Sequence, residues 1–313
     1  MYVDDALVGS HSVSERLEAR DELVVILKSA GFDLRKWAAN QKELLDGLPR
    51  DHLLREYFLD FDDKSSAKTL GIRWNASFDS FYFVSEEIQE RVKFSKREVF
   101  SVIARIFDPL GWLSPVVVTA KIIMQRLWLD EIGWDDELKP LTLLKWKQFV
   151  SNYPSIDKIS IPRWIKYSPK CEVQLHGFCD SSELAYAAAL YIRAEIGSVV
   201  HTSLLVSKSK VAPVKKLSLP RLELCGALLL AKLADCFLPQ LKIHSSNVVS
   251  WTDSTIVLSW LQKPPYNWTT FVANRIAIIQ EKIVGDWRHV PTLDNPADVA
   301  TRGVTPLKLK END

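Results

Sequence analysis

Long apolar runs are missing from this 313-residue chain. No stretch of about 18 apolar residues occurs, which argues against a membrane-spanning helix; the best segment, Leu113 to Met124, is cut by Lys121. Net charge is nearly missing as well. Forty Lys+Arg against 39 Asp+Glu leave +1, which excludes a histone-like polyelectrolyte but not a local basic strip. The four cysteines (Cys171, Cys179, Cys225, Cys236) show no CxxC spacing, so buried free thiols in a reducing compartment are expected. Met1-Tyr2-Val3-Asp4-Asp5 is acidic from its fourth residue and does not read as a secretory signal. No internal repeat or low-complexity segment is visible. These absences together predict an intracellular protein, cytoplasmic or nuclear, that is not secreted and has no membrane partner.

What is present is material for a core. Hydrophobic residues make up 47% and charged residues 25%, enough for two compact domains or one large domain with an appendage. Eleven tryptophans suggest packed interfaces between modules, with Trp112, Trp128, Trp134, Trp146 and Trp164 as the candidates. The chain begins almost inside a strand pattern, as though a larger domain had lost its front. Ser12 with Glu15 forms a capping-box pattern that opens a helix carrying Leu17, Leu23, Val24 and Leu27, stopped by Gly31. Phe32 to Trp37 reads as a strand, and Leu70–Trp74 with Phe81–Val84 reads as a hairpin. Ser95 with Glu98 opens a second helix, expected to end at Asp108-Pro109. Pro115 starts another, and a further one is expected near Leu143 to Val150. Pro154, Pro162 and Pro169 then punctuate a stretch of low periodicity, and the main boundary is expected there.

From Lys170 the pattern changes. Glu172–Asp180, Ala185–Arg193 and Val199–Ser207 read as three strands, the last two joined by a connection short enough for an antiparallel hairpin. Pro220 begins a long helix through Phe237. Asn247–Thr252 is a strand leading into a helix from Ser254, Phe271–Ile283 is helical, Asp286–Val290 is a strand, and Asn295–Thr301 is a short helix closed by Gly303. Three strands followed by alternating helix and strand predict a mixed α/β sheet.

Four carboxylates in this half sit at element ends. Asp180 closes the first strand on the face of His176 and Phe178. Glu223 lies in the first turn of the Pro220 helix, whose small residues Gly226, Ala227 and Ala234 would allow a close approach to a sheet. Asp253 ends the strand Trp251-Thr252-Asp253, and Asp298 lies in the last helix. Each has a structural alternative: a turn residue at Asp180, a helix-dipole partner at Glu223, an N-cap at Asp253, a capping partner of Asn295 at Asp298. Four element ends of one sheet can nevertheless converge on a single rim. Four carboxylates there repel one another unless a cation neutralises them, and hard oxygen ligands suit Mg²⁺, as in the paired-ion sites that cleave phosphodiesters.

Asp180-Ser181-Ser182 after a strand, Leu219-Pro220-Arg221-Leu222-Glu223-Leu224, Trp251-Thr252-Asp253-Ser254, and His289-Val290-Pro291 followed by Asn295-Pro296-Ala297-Asp298 resemble the ribonuclease H domain of retroelement polyproteins. More narrowly, they resemble the Bel/Pao group of long-terminal-repeat retrotransposons. In the first half, Tyr2-Val3-Asp4-Asp5 is similar to the reverse-transcriptase palm hairpin. Phe32–Trp37, Leu70-Gly71-Ile72-Arg73-Trp74 and Ala104-Arg105-Ile106-Phe107-Asp108-Pro109-Leu110-Gly111 are similar to the segments that follow it. The resemblance covers essentially the whole chain.

It implies a partial reverse-transcriptase palm at 1–90, a helical thumb or connection region at 91–153, a linker at 154–170, a ribonuclease H-like domain at 171–305 with a mixed five-stranded sheet and flanking helices, and a tail at 306–313. It makes Asp180, Glu223, Asp253 and Asp298 the ligands of two Mg²⁺ ions, with Mn²⁺ a possible substitute, and the RNA strand of an RNA–DNA hybrid the substrate, read by shape and 2′-OH contacts. It places His289 beside the scissile phosphate for proton movement or product release. Lys208, Lys210, Lys215, Lys216 and Arg221 would track phosphates beside the site, or form a solvated loop. Arg91, Lys93, Lys96 and Arg97 would lie in an element that grips the duplex. Asp4 and Asp5 would be relics of the polymerase site: the additional palm aspartate and the fingers are missing, so no polymerisation is expected from this chain alone, and a complete reverse transcriptase or other element proteins would be its partners. Bel/Pao regions are also labelled aspartic peptidases, but no Asp-Thr/Ser-Gly tripeptide occurs here. The alternative to a ribonuclease is a non-catalytic nucleic-acid-binding remnant of a degenerate or host-retained element.

Overall fold

The computed structural model describes residues 6–10, 12–54, 67–69, 72–89, 91–167 and 171–311. The Asp4 and Asp5 relics, and Leu70 and Gly71 of the expected hairpin, lie outside the described residues. The chain divides into two compact units, one of residues 1–84 with 157–164 and one of 85–156 with 165–313.

In the first unit, helix α1 (Val13–Ser29) is capped by Ser12, whose hydroxyl accepts from the Glu15 N–H at 3.2 Å. The expected strand at Phe32–Trp37 does not form; Trp37 makes a single bridge with Leu53. Lys36 takes a left-handed φ of 57°, which breaks an extended run. Strands β1 (Ala67–Thr69), β2 (Ile72–Asn75), β3 (Ser80–Tyr82) and β4 (Ser160–Pro162) form an antiparallel sheet in that order. The β2–β3 hairpin was legible in the sequence. β4 arises inside the proline-punctuated stretch, where three residues are too few to show periodicity. At the hairpin turn Asp79 accepts from Arg163 Nε and Nη2 at 2.5 and 2.8 Å, and from Trp74 Nε1 at 3.1 Å.

The second unit opens with α2 (Lys96–Ala104), α3 (Ser114–Leu129) and α4 (Pro140–Asn152). Ser95 and Glu98 close a complete capping box on α2. That helix stops at Ala104, with Arg105 as its C-cap, short of the expected Asp108-Pro109. Then come β5 (Glu172–Ser181), β6 (Ala185–Ile196), β7 (Val199–Val211), α5 (Leu219–Leu241), β8 (Val248–Thr252), α6 (Thr255–Leu261), α7 (Thr270–Lys282), β9 (Trp287–His289), α8 (Val299–Arg302) and α9 (Pro306–Glu311). The sheet order is β7-β6-β5-β8-β9, with β5, β6 and β7 antiparallel and β8 and β9 parallel to β5. This is the mixed five-stranded sheet with flanking helices that the sequence predicts.

Strand β5 alternates as its sequence dictates. Leu175 and Cys179 are buried under α5 with Leu224, Ala227 and Leu230, while His176, Phe178 and Asp180 share the opposite face. A Cβ on Gly226 would lie 3.1 Å from the Asp180 carbonyl oxygen, so glycine sets how closely α5 approaches the end of β5. The edge of β7 is covered by the preceding helical region. The Ser207 N–H donates to the Leu110 carbonyl at 2.9 Å, Trp112 Nε1 to Leu205 O at 3.2 Å, and Lys121 Nζ to Ser209 O at 3.1 Å. An edge strand that would otherwise offer free backbone groups is thereby satisfied. Among the tryptophans expected to pack, Trp112 and Trp146 are buried, whereas Trp128 and Trp134 are about half exposed and meet each other edge to face beside Phe100.

Candidate active site

Asp180 is buried at the end of β5, and the Thr301 hydroxyl of α8 donates to its Oδ2 at 2.5 Å. Burial pushes its carboxyl up to about 6; the Thr301 hydroxyl opposes that shift, and the charges of Asp253 and Asp298 reinforce it. Glu223 stands in the second turn of α5, one turn further in than expected, because the helix starts at Leu219 behind the N-cap Ser218 and carries the proline in its first turn. Its Oε2 accepts from the Ser254 hydroxyl at 2.5 Å. Burial raises the Glu223 carboxyl too, with Ser254 opposing and Asp253 adding to the rise.

Asp253 follows β8 and is not the N-cap of the next helix. Ser254 takes that place, its hydroxyl accepting from the Val257 N–H at 3.2 Å. The Asp253 carboxylate therefore stays on the rim, where the Thr292 hydroxyl donates to Oδ2 at 2.9 Å. Asp298 opens α8 and does not cap Asn295 through its side chain. Asn295 Oδ1 instead accepts from the Ala297 N–H at 3.1 Å, and its Nδ2 donates to the Cys179 carbonyl at 3.0 Å, pinning this turn to the end of β5. Arg302 Nε, one helical turn on, donates to Asp298 Oδ1 at 2.8 Å. The Cys179 thiol reports the same negative field: burial raises it strongly, the Thr252 side chain opposes, and Asp180, Asp253 and Glu223 raise it further.

Of the four sequence-predicted carboxylates, Asp180 at the end of β5 feels the charges of Asp253 after β8 and Asp298 at the start of α8, and Glu223 of α5 feels that of Asp253. Hydroxyls from Thr301, Ser254 and Thr292 and the Arg302 guanidinium occupy them as they stand. Among the described residues no three His, Cys, Asp or Glu side chains are grouped closely enough to hold a metal ion in this arrangement. These four polar partners were not foreseen. Thr301 and Arg302 stand three and four residues beyond Asp298, a spacing that would have flagged both on one helix face.

His289 pairs in register with Thr252, one residue before Asp253, and its side chain is exposed. Lys208 and Lys210 are exposed on β7, Lys215 and Lys216 on the loop that follows, and Arg221 on α5, its guanidinium 5.0 Å from the Phe271 ring centroid. The earlier basic group is already engaged. Arg91 pairs with Glu98, Lys93 with Glu137 and Arg97 with Asp135. Lys96 is buried, with its ammonium 3.8 Å from the centroid of Trp128.

A family model described as the Pao retrotransposon-like RNaseH-like domain matches residues 95–254, 160 of the 313 residues and so just over half of the chain. No curated protein matches in sequence. Solved structures with similar folds include RNase H1 from the halophilic archaeon Halobacterium salinarum (14% identity, 40% of this chain and 89% of that one, TM-score 0.27). LC11-RNase H1 in complex with RNA/DNA hybrid is similar at 13% identity over 44% of this chain and 99% of that one, TM-score 0.29. The foamy viral protease-reverse transcriptase in complex with RNA/DNA hybrid is similar at 13% identity over 92% of this chain and 35% of that one, TM-score 0.46. Among the described residues no helix is long and apolar enough to cross a membrane.

Proposed function

The chain belongs to the Pao retrotransposon-like RNaseH-like family, and from that premise we propose that it is a divalent-cation-dependent ribonuclease acting on the RNA strand of RNA–DNA hybrids. The observation that carries the reading is the Asp180 carboxyl, buried and raised to about 6 with Asp253 and Asp298 adding their charge. A structural aspartate is matched by donors and cations; here one hydroxyl and one N–H are set against the charges of two further carboxylates. Such a donor set, hard oxygens from four elements, fits Mg²⁺ or Mn²⁺. Asp180, Glu223, Asp253 and Asp298 would hold the ions, which when bound supply an activated water and charge neutralisation at the leaving oxygen.

The chain's own residues have definite tasks in this reading. Ser254 and Thr292 orient Glu223 and Asp253, and Thr301 holds Asp180. His289, exposed at the same end of the sheet as Asp253, would assist proton movement or product release in this reading. The exposed Lys208, Lys210, Lys215, Lys216 and Arg221 would contact phosphates and contribute affinity without sequence preference.

The test is cleavage of a labelled RNA–DNA hybrid in Mg²⁺ by wild-type protein and by Asp253→Asn, which removes charge at nearly constant volume. Wild type should cut and Asp253→Asn should lose at least about 100-fold, with hybrid binding retained. Equal rates in both would overturn the assignment. Binding without cleavage by the wild type would point to the non-catalytic remnant instead.

A further inference from the structure

Arg302 does more than neutralise Asp298. It also lines a cavity of about 390 Å³ formed by α3, α4, the β5–β6 turn at Leu184 and the stretch from Arg302 to Lys308. The floor is apolar, from α3 and α4. Its cations are Lys145, Arg302 and Lys308, and neither Asp nor Glu is among the lining residues. Lys145 and Lys308 are exposed. Arg302 has an exposed side chain, 65% accessible, while Asp298 is 24% accessible. A concave site with three cations and no carboxylate is complementary to an anion, and its third cation is the one that occupies a carboxylate of the rim.

We propose that this cavity receives a backbone phosphate of the nucleic-acid duplex and that Arg302 couples its occupation to the rim. The assignment rests on the nucleic-acid reading given above. A phosphate oxygen in the cavity competes for the Arg302 guanidinium, for which bidentate contact with phosphate is a favoured geometry. As Arg302 turns to the phosphate, Asp298 loses its counter-charge and becomes a better ligand for a divalent cation. Substrate binding and cation binding thereby assist each other, a reciprocal coupling of two sites through one side chain. No bond is made or broken; the only change is the partner of the guanidinium.

The experiment uses the full chain and reads binding, not turnover. Fluorescence anisotropy of a labelled RNA–DNA hybrid in EDTA compares wild type, Lys145→Glu/Lys308→Glu and Lys145→Arg/Lys308→Arg. The charge-reversed variant should bind about 10-fold or more weakly and lose roughly two from the slope of log affinity against log salt. The arginine variant should bind like wild type, which guards against a folding defect. Unchanged affinity and slope in the charge-reversed variant would overturn the proposal. A parallel titration with inorganic phosphate separates the sources: phosphate binding lost on charge reversal while hybrid affinity stays constant would mean a free-phosphate site and overturn the backbone assignment. Calorimetry with Mn²⁺ tests the coupling. Arg302→Ala without nucleic acid should bind Mn²⁺ about 2–5-fold more tightly than wild type, and equal or weaker binding would remove the coupling. These readouts need no cleavage. A chain that binds hybrid through the cavity yet cuts nothing refutes the catalytic reading alone, and one that cuts hybrid yet ignores the charge reversal refutes the cavity alone.

Discussion

Asp108, partly buried, and Asp180, buried, lie in the same unit and are both pushed up to about 6 by desolvation, yet their surroundings are opposite. The backbone N–H groups of Leu113, Trp112 and Gly111 oppose the rise at Asp108, as does the charge of Lys121. Its Oδ2 accepts from the Leu113 N–H at 2.9 Å, and the turn it holds delivers Leu110 and Trp112 to the edge of β7. At Asp180 one hydroxyl and one N–H oppose the rise, while Asp253 and Asp298 add to it. A raised carboxyl by itself therefore does not mark an active site. Its neighbours decide: donors make Asp108 a structural residue, and further carboxylates leave Asp180 short of a counter-ion.

Substitutions can break or sharpen this contrast. The largest effect is expected at Gly111, whose φ is +71° and whose Cβ would stand 1.8 Å from the Ser207 carbonyl oxygen. Gly111→Ala should cost at least about 3 kcal/mol, read as a lower urea midpoint; an unchanged midpoint would mean that the turn is not seated on β7. Asp108→Ala strips an acceptor from the same turn and should cost about 2 kcal/mol.

Asp180→Asn should act in the other direction. A carboxyl that holds its proton more tightly folded than unfolded stabilises the fold at low pH, and that contribution is lost as pH rises from the unfolded value of 3.8 through about 6. Without divalent ions Asp180→Asn should therefore be more stable than wild type above pH 7, by about 1–3 kcal/mol, and no more stable below pH 4. Thermal melts at the two pH values measure this. A loss at pH 7.5 comparable to that of Asp108→Ala would erase the distinction between the regions.

The same contrast explains what the sequence disclosed. Strand alternation placed Asp180 beside Phe178 and opposite Cys179, and the Ser95–Glu98 pair announced α2, because both signals are local. The strand expected at Phe32–Trp37 failed because the residue types suit a strand but the backbone turns at Lys36 with φ 57°. Asp253 and Ser254 are adjacent and either could cap a helix, so only the hydroxyl contact to Val257 N–H decides between them. The cover on β7 joins Trp112 to Leu205, and the site partners Asp180 and Thr301 are similarly remote in sequence. Contacts over such separations leave no periodic trace. Arg302 was readable as four residues beyond Asp298, but its place in the cavity depends on α3 and α4 arriving from the other end of the unit.

The claim that the rim is a cation site is tested most directly by thermal melting against Mg²⁺ concentration for wild type, Asp253→Asn and Asp108→Ala. Millimolar Mg²⁺ should stabilise wild type by about 1–3 kcal/mol through preferential binding to the folded state. Asp108→Ala, although less stable, should show the same increment, and Asp253→Asn should lose most of it. An equal increment in Asp253→Asn, or none in the wild type, would contradict the account.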